Sequence, residues 1–257
     1  MSGKARVLDV LVVEDNPVNQ KVVRALLTKW GHRVVLACDG AVGLEALGRQ
    51  AFDLVLMDIQ MPAMDGIQAT RAIRAKEREC GGHIPIIAIT AHAGIEDRVR
   101  CLDAGVDQYL TKPINSELLR QAISTLIPVA GCDSTRPGVG VATGPVDFDL
   151  MKEFVGDDPE LLAEVIDIFL ADTPLALESA GDAITKADAG AVEMSAHRLK
   201  GSLSTMGAAA AAETAQLLES LAHGGGLDGA AELFARLRVE VAVAGDSLRQ
   251  WRELRAA

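Results

Sequence analysis

No stretch of the 257-residue chain reaches the roughly 18 consecutive apolar residues of a membrane-spanning helix. Residues 1–10, MSGKARVLDV, also lack the long apolar stretch of a signal peptide. Direct membrane insertion is therefore not expected, and any membrane association is expected to come from a partner or from sequence outside this chain. Cysteine is sparse: Cys38, Cys80, Cys101 and Cys132 are scattered without a CxxC pair, which argues against a zinc cluster or a disulfide framework and suits a reducing compartment such as the cytoplasm. Positive charge is in deficit as well. The 25 Lys and Arg residues stand against 36 Asp and Glu, a formal net charge of -11, so the chain has no general attraction for a nucleic-acid backbone or an anionic membrane surface.

What is present divides the chain in two. Residues 128–147, PVAGCDSTRPGVGVATGPVD, are crowded with Gly, Pro, Ser and Thr and follow neither the strand nor the helix period, which predicts a flexible linker between a domain at 1–127 and a second at 148–257. Before the linker, short apolar runs at 10–13, 33–37, 54–57, 86–89 and 108–110 alternate with helical stretches near 17–30, 40–49, 66–78, 95–103 and 116–126. The strand runs are continuously apolar rather than alternating, as in parallel strands covered on both faces. An α/β, doubly wound, five-stranded parallel sheet of the flavodoxin-like kind is expected. After the linker, Ala-, Leu- and Glu-rich helical spacing dominates from Pro159 onward, predicting an all-α domain.

In an open parallel sheet, reactive groups gather where loops leave the carboxyl ends of the strands. Glu14 and Asp15 follow the first run, Asp58 ends the third, Thr90 ends the fourth and Lys112 follows the fifth. Three carboxylates at one rim repel unless a cation or proton relieves them, and hard oxygen ligands suit Mg²⁺. Asp58 can then act as a nucleophile towards a phosphoryl group while Lys112 and the Thr90 hydroxyl hold its other oxygens. Each residue also has an ordinary reading. A strand-end aspartate is often a helix cap, and Pro17 makes Asp15 or Asn16 a candidate for that role. Lys112 before Pro113 reads as a solvated loop lysine, Thr90 as a partner of backbone groups, and Tyr109, the sole tyrosine, as a half-buried edge aromatic. The joint pattern carries the argument.

That pattern resembles the receiver domain of bacterial response regulators and hybrid histidine kinases across residues 8–127. The matching segments are LVVEDNPVNQ at 11–20, DLVLMDIQMPAMDG at 53–66, PIIAITAHA at 85–93 and GVDQYLTKPI at 105–114. The resemblance implies that Glu14 and Asp15 are the acidic pair, Asp58 the phospho-acceptor, Thr90 the switch hydroxyl, Lys112 the catalytic lysine and Tyr109 the switch aromatic. It also implies Mg²⁺, or Mn²⁺, held by Glu14, Asp15, Asp58 and the backbone carbonyl of Gln60. Its NPVNQ and MPxMDG forms point to a phosphorelay rather than a simple transcription factor.

In the second domain, Val192, Ala196, Leu199, Leu203, Met206 and Ala210 recur at spacings of three and four, predicting one inward face of a long helix. His197 lies just off that face, with Lys200, Gly201 and Ser204 on its side. An exposed imidazole offers a nucleophilic nitrogen, and a nearby lysine offsets the charge of an incoming phosphoryl group. Gly201 loses about 1 kcal/mol against alanine in a helix interior, which room for a docking partner would explain. Taken alone, a surface histidine is more often unremarkable, and no second metal ligand lies at zinc spacing.

The segment resembles the histidine phosphotransfer domain, a four-helix bundle, over roughly 148–252, with AHRLKGSLSTMGA at 196–208 as its core. The resemblance implies that His197 accepts the phosphoryl group, that Lys200 and Gly201 form its surround, and that Gly207 permits close helix packing. It also implies two helices in residues 159–197 leading into the histidine helix, and a last helix near 229–252. His32, His83, His92 and His223 have no expected catalytic role.

Together the domains imply a phosphorelay protein that accepts a phosphoryl group on Asp58 and exchanges it with His197, or with a partner histidine kinase or downstream receiver. Docking between the two domains of one molecule is left open by the flexible linker. The alternative is a regulatory interaction module of a histidine kinase with little direct transfer from Asp58 to His197. There is no P-loop or glycine-rich ATP element, so the chain is not expected to phosphorylate itself from ATP. A place at the carboxyl-terminal end of a membrane-tethered hybrid kinase also fits.

Overall fold

A computed structural model of the chain describes residues 6–90, 95–127, 144–155 and 158–256. They form two compact units, one α/β and one all-α. The first alternates β1 (Asp9–Val13), α1 (Pro17–Lys29), β2 (Arg33–Ala37), α2 (Gly40–Arg49), β3 (Leu54–Asp58), α3 (Gly66–Cys80), β4 (Ile86–Thr90), α4 (Ile95–Ala104), β5 (Gln108–Thr111) and α5 (Ser116–Leu126). Every strand pairing is parallel and the order is β2-β1-β3-β4-β5, the doubly wound sheet expected from the apolar runs.

Alternate side chains of the central strands serve opposite faces. Leu11, Val13, Val55, Met57, Ile86 and Ala88 pack with Ile67 and Ile73 of α3, Cys101 and Ala104 of α4, and Leu44 of α2. Val10, Val12, Leu54, Leu56, Ile87 and Ile89 meet Val23 and Leu27 of α1 and Leu119 and Ile123 of α5. Two covered faces explain why β1, β3 and β4 carry no polar alternation, and each buried Leu, Ile or Val contributes about 1.5–3 kcal/mol relative to exposure. The edge strand β2 alternates between exposed and more buried positions instead. Both β3 and β4 run one residue past their apolar stretches, to Asp58 and Thr90, because the ladder continues: the Ile59 amide donates to the Ile89 carbonyl at 3.0 Å.

Short polar residues start the helices. The Oδ1 of Asn16 accepts from the Val18 amide at 2.9 Å, so the cap before Pro17 is Asn16, which leaves the adjacent Asp15 carboxylate for other work. Asp39, Asp65 and Asn115 cap α2, α3 and α5 in the same way.

The second unit contains α6 (Phe148–Val155), α7 (Pro159–Thr185), α8 (Ala189–Thr205), α9 (Ala209–His223) and α10 (Ala230–Ala256). Helix α8 packs on α7 and α9, and α10 packs on the same two, closing the expected four-helix bundle. The short α6 joins it through Phe148, whose ring stacks on Trp251 with centroids 6.0 Å apart. Two expectations are corrected. Residues 159–185 form one continuous helix despite Pro174, so a single long helix of that run, not two, leads into the histidine helix. The helical pattern from Ala191 is also not one helix: Gly207 at φ 68° ends α8, with Ala208 N–H donating to Leu203 O at 2.9 Å and Gly207 N–H to Ser204 O at 3.1 Å. The break resets the helical phase. Val192, Ala196, Leu199, Leu203 and Met206 are buried as expected, but Ala210 is exposed and Ala211, Ala215, Leu218 and Ala222 form the inward face of α9.

Gly207 does bring chain segments close, though the neighbour is not a helix of the bundle. A Cβ there would lie 2.3 Å from the Asp147 carbonyl oxygen, and the Asp147 amide donates to the Gly207 carbonyl at 2.9 Å. Of the expected linker, residues 128–143 lie outside the described residues, as do His92 and Cys132. Among the described residues no helix is long and apolar enough to cross a membrane.

Candidate functional site

The sheet order places β1 beside β3 with Val13 level with Met57, so the residues that follow them, Glu14 and Asp58, meet at the carboxyl rim where the strand order reverses. Next across, Asp58 is level with Ile89 of β4, which sets Thr90 just beyond it, and Thr90 is level with Thr111 of β5. The Lys112 amide then donates to the Thr90 carbonyl at 2.7 Å. Four strands thus deliver Glu14, Asp58, Thr90 and Lys112 to one rim.

Lys112 Nζ lies 2.5 Å from Asp58 Oδ2 and 3.0 Å from Glu14 Oε2. The Gln60 amide donates to Asp58 Oδ1 at 3.1 Å. The β3–α3 loop folds back tightly: Gly66 N–H donates to the Ile59 carbonyl at 3.0 Å, and a Cβ on Gly66 would sit 2.0 Å from the Asp58 carbonyl oxygen. Only glycine permits that approach, and the loop so held keeps the Asp58 side chain at the rim.

Burial and the Glu14 carboxylate push the Asp58 carboxyl well above the usual range, against the pull of Lys112. Burial opposes charge on Lys112, but Asp58 and Glu14 outweigh it and hold the ammonium above its ordinary value. One cation among three carboxylates leaves excess negative charge. Oxygen ligands of Glu14, Asp15 and Asp58 lie within 4.8 Å of one another, a donor set and spacing that fit a hard divalent cation. Tyr109 is partly buried against the α2–α4 side of the core.

In the bundle, His197, Lys200, Gly201 and Ser204 all lie on α8, but His197 and Lys200 are buried, which corrects the expectation of an exposed imidazole. The structure adds a residue that the sequence pattern passed over. His197 Nδ1 lies 2.7 Å from Glu219 Oε1 on α9, and Lys200 Nζ bonds Glu219 Oε2. Burial would raise the Glu219 carboxyl, but hydrogen bonds from His197 and Lys200 outweigh it and bring it down to about 2. Glu219 is therefore a carboxylate at neutral pH and only accepts, so His197 Nδ1 is the protonated nitrogen and Nε2 carries the lone pair of the neutral ring. Lys200 is expected to face an incoming phosphoryl group, yet it is already paired with this carboxylate. Beside them, Arg198 pairs with Asp172 of α7 at 2.7 Å. The signal for Glu219 is an acidic residue on the inward face of a helix otherwise lined by Ala211, Ala215, Leu218 and Ala222. Among the other histidines, His83 pairs with Asp107 at 2.6 Å and His223 with Glu193 at 2.8 Å, both surface contacts.

Residues 10–124 match the family model described as the response regulator receiver domain, and residues 164–251 match the Hpt domain model. The sensor protein GacS of Pseudomonas syringae pv. syringae is 35% identical over 219 residues, 82% of this chain and 24% of that protein. The sensor histidine kinase GacS of Pseudomonas protegens is 36% identical over 199 residues, 75% of this chain and 22% of that protein. A solved receiver domain of a sensor histidine kinase from Pseudomonas aeruginosa aligns at 43% identity and TM-score 0.44, covering 48% of this chain and 98% of that one. The chain spans about a quarter of the length of these GacS relatives. The Hpt match beside the receiver match does not favour the alternative of a regulatory interaction module. The chain therefore carries a response regulator receiver domain at residues 10–124 followed by an Hpt domain at 164–251.

Proposed function

We propose that Asp58 accepts a phosphoryl group and that His197 exchanges it, directly with Asp58 or with the receiver of a partner. The observation that carries this reading is the convergence of Asp58, Glu14 and Lys112 on one rim, with Lys112 2.5 Å from the proposed nucleophile. Glu14, Asp15 and Asp58 would hold Mg²⁺ or Mn²⁺, with the Gln60 backbone carbonyl as a further ligand. When bound, the cation neutralises charge on the phosphoryl oxygens. Asp58 supplies the attacking carboxylate oxygen, Lys112 offsets charge on the phosphoryl group, and the Thr90 hydroxyl takes another phosphoryl oxygen as the switch that Tyr109 follows. His197 Nε2 attacks the aspartyl phosphate in line, with Lys200, Gly201, Ser204 and Gly207 shaping its helix and the turn after it.

A histidine kinase upstream and a second receiver downstream are the partners this chemistry requires, and docking of the receiver on the Hpt domain of the same molecule is one route for exchange. Such partners place the chain in the cytoplasm. The domains are proposed as 1–127 and 148–257, joined by a linker at 128–147.

The test uses two full-length variants. His197→Gln, charged by a labelled small-molecule phosphodonor in Mg²⁺, is mixed with Asp58→Asn. Label is expected to leave the first chain and appear on His197 of the second within minutes. Label that stays on Asp58 until it hydrolyses would sink direct exchange between Asp58 and His197 of separate chains and leave a partner's receiver as the counterpart of His197.

A further inference from the structure

We propose that Arg74 is a positioning residue that makes the carboxyl end of α4 the fixed pivot of the receiver unit, so that charging Asp58 swings the other end of that helix. The inference rests on the reading that Asp58 accepts a phosphoryl group and that Thr90 follows it. The anchor itself is independent of that reading, because it lies at the rim where β4 and β5 begin, opposite the one that carries Asp58.

Arg74 of α3 is buried, and its guanidinium reaches acceptors in several directions. Nε donates to the Gly105 carbonyl at 2.8 Å, in the turn between α4 and β5. Nη1 donates to the Glu77 carboxylate at 2.8 and 2.9 Å and to the Ile84 carbonyl at 2.9 Å, just before β4. Nη2 donates to Asp107 Oδ2 at 2.7 Å, just before β5, and the same oxygen accepts from the Ile86 amide at 2.8 Å. Gly105, at φ 96°, leaves the arginine stem its path, since a Cβ there would lie 2.8 Å from Arg74 Cγ. A planar fork serves these separate acceptors at once, which the single ammonium of a lysine does not. Strands β4 and β5 are thus held where they begin, whereas Thr90 ends β4 and Lys112 follows β5. The chain leaving Thr90 enters α4 at Ile95, and α4 ends at Ala104, directly before the anchored Gly105. Cys101 and Ala104 of its last turn are buried in the core, while Val99 is exposed. Moving the anchored end would break a buried ion network and leave charge uncompensated, so that end resists displacement. A pull from Thr90 therefore acts on the free end of a helix about 15 Å long whose far end stays in place.

The full chain, labelled with nitrogen-15, is loaded with beryllofluoride in Mg²⁺ as a stand-in for the phosphoryl group, and the amide signals of Thr90, Val99, Gly105 and Asp107 are followed by NMR. Thr90 and Val99 are expected to shift, and Gly105 and Asp107 to shift severalfold less. This comparison within the parent requires no variant. In Arg74→Lys, which keeps the charge and loses the fork, loading is expected to shift Gly105 as far as Val99. A Gly105 that shifts as far as Val99 in the parent overturns the proposal while leaving the acceptor role of Asp58 intact. An Arg74→Lys chain in which Gly105 stays in place overturns it as well. If Thr90 does not respond to loading of the parent, the reading of Asp58 fails and the proposal falls with it.

Discussion

Lys112 Nζ sits 2.5 Å from Asp58 Oδ2 and also reaches Glu14, so a single buried ammonium bridges two carboxylates that arrive from different strands. Lys112→Met leaves Asp58 and Glu14 without this cation. The rate at which Asp58 takes label from a small-molecule donor is expected to fall on the order of 10²–10³-fold. The metal-free variant is expected to lose about 3–5 kcal/mol of stability, as when one partner of a buried ion pair is removed. Labelling kinetics and urea titration read the two effects separately, and a variant that charges at the parent rate would contradict the role given to Lys112.

Metal binding gives a second prediction. A cation bound only by the folded rim stabilises the receiver unit by about 2.7 kcal/mol when present at a hundredfold excess over its Kd. Adding Mg²⁺ is therefore expected to raise the Tm, and a chelator to return it. In Asp15→Asn, which removes one ligand of the cluster, the same Mg²⁺ concentration should produce a smaller shift. Equal shifts in both proteins would place the cation elsewhere.

Gly66 and Gly207 are expected to resist even alanine. At Gly66 the new Cβ would lie 2.0 Å from the Asp58 carbonyl oxygen, and at Gly207 it would lie 2.3 Å from that of Asp147, where φ is also 68°. Each substitution should destabilise its unit by about 1–3 kcal/mol. Only Gly66→Ala should also slow charging of Asp58, because the loop it forces open holds the acceptor. Parallel denaturation and labelling of the two variants would show whether that difference exists.

Glu219 makes stability depend on pH. Its carboxyl lies at about 2 in the folded chain against 4.5 for the free side chain. A lowered folded value means that its contribution is complete above the unfolded value and is lost as the pH falls from there through the folded one. The parent should therefore exceed Glu219→Gln in stability near pH 5, and the margin should close on acidification towards about pH 2. Chemical denaturation of both proteins across that range measures the gap. A margin that persists unchanged at the acid end would mean that the carboxylate is not what stabilises the α8–α9 contact.

Much of this molecule is legible in its order of residues. The apolar runs that become β1, β3 and β4 and the caps Asp39, Asp65 and Asn115 are local features, and they mark the receiver elements to within one or two residues. The rim residues were legible too, because strand ends are local and a parallel sheet brings them together. The helix break at Gly207 was obscured by the alanine run at 208–212, whose helical propensity continues across it. A glycine suited to a left-handed cap competes with that propensity, and its approach to Asp147, sixty residues earlier, depends on the packing of α6.

Composition and periodicity by themselves determined the two-part organisation, the parallel sheet and the place of Asp58 at a strand end, because all of these follow from burial patterns within short windows, whereas the burial of His197 did not. Tertiary structure decided which charges face one another. Asp58 shares Lys112 with Glu14 only because β1, β3 and β5 end at the same rim. His197 meets Glu219 only because the turn at Gly207 resets the phase of α9 and rotates an acidic side chain towards α8. Pairwise electrostatics falls off with distance through space, not along the chain, so these pairings became readable only once the helices and strands were packed.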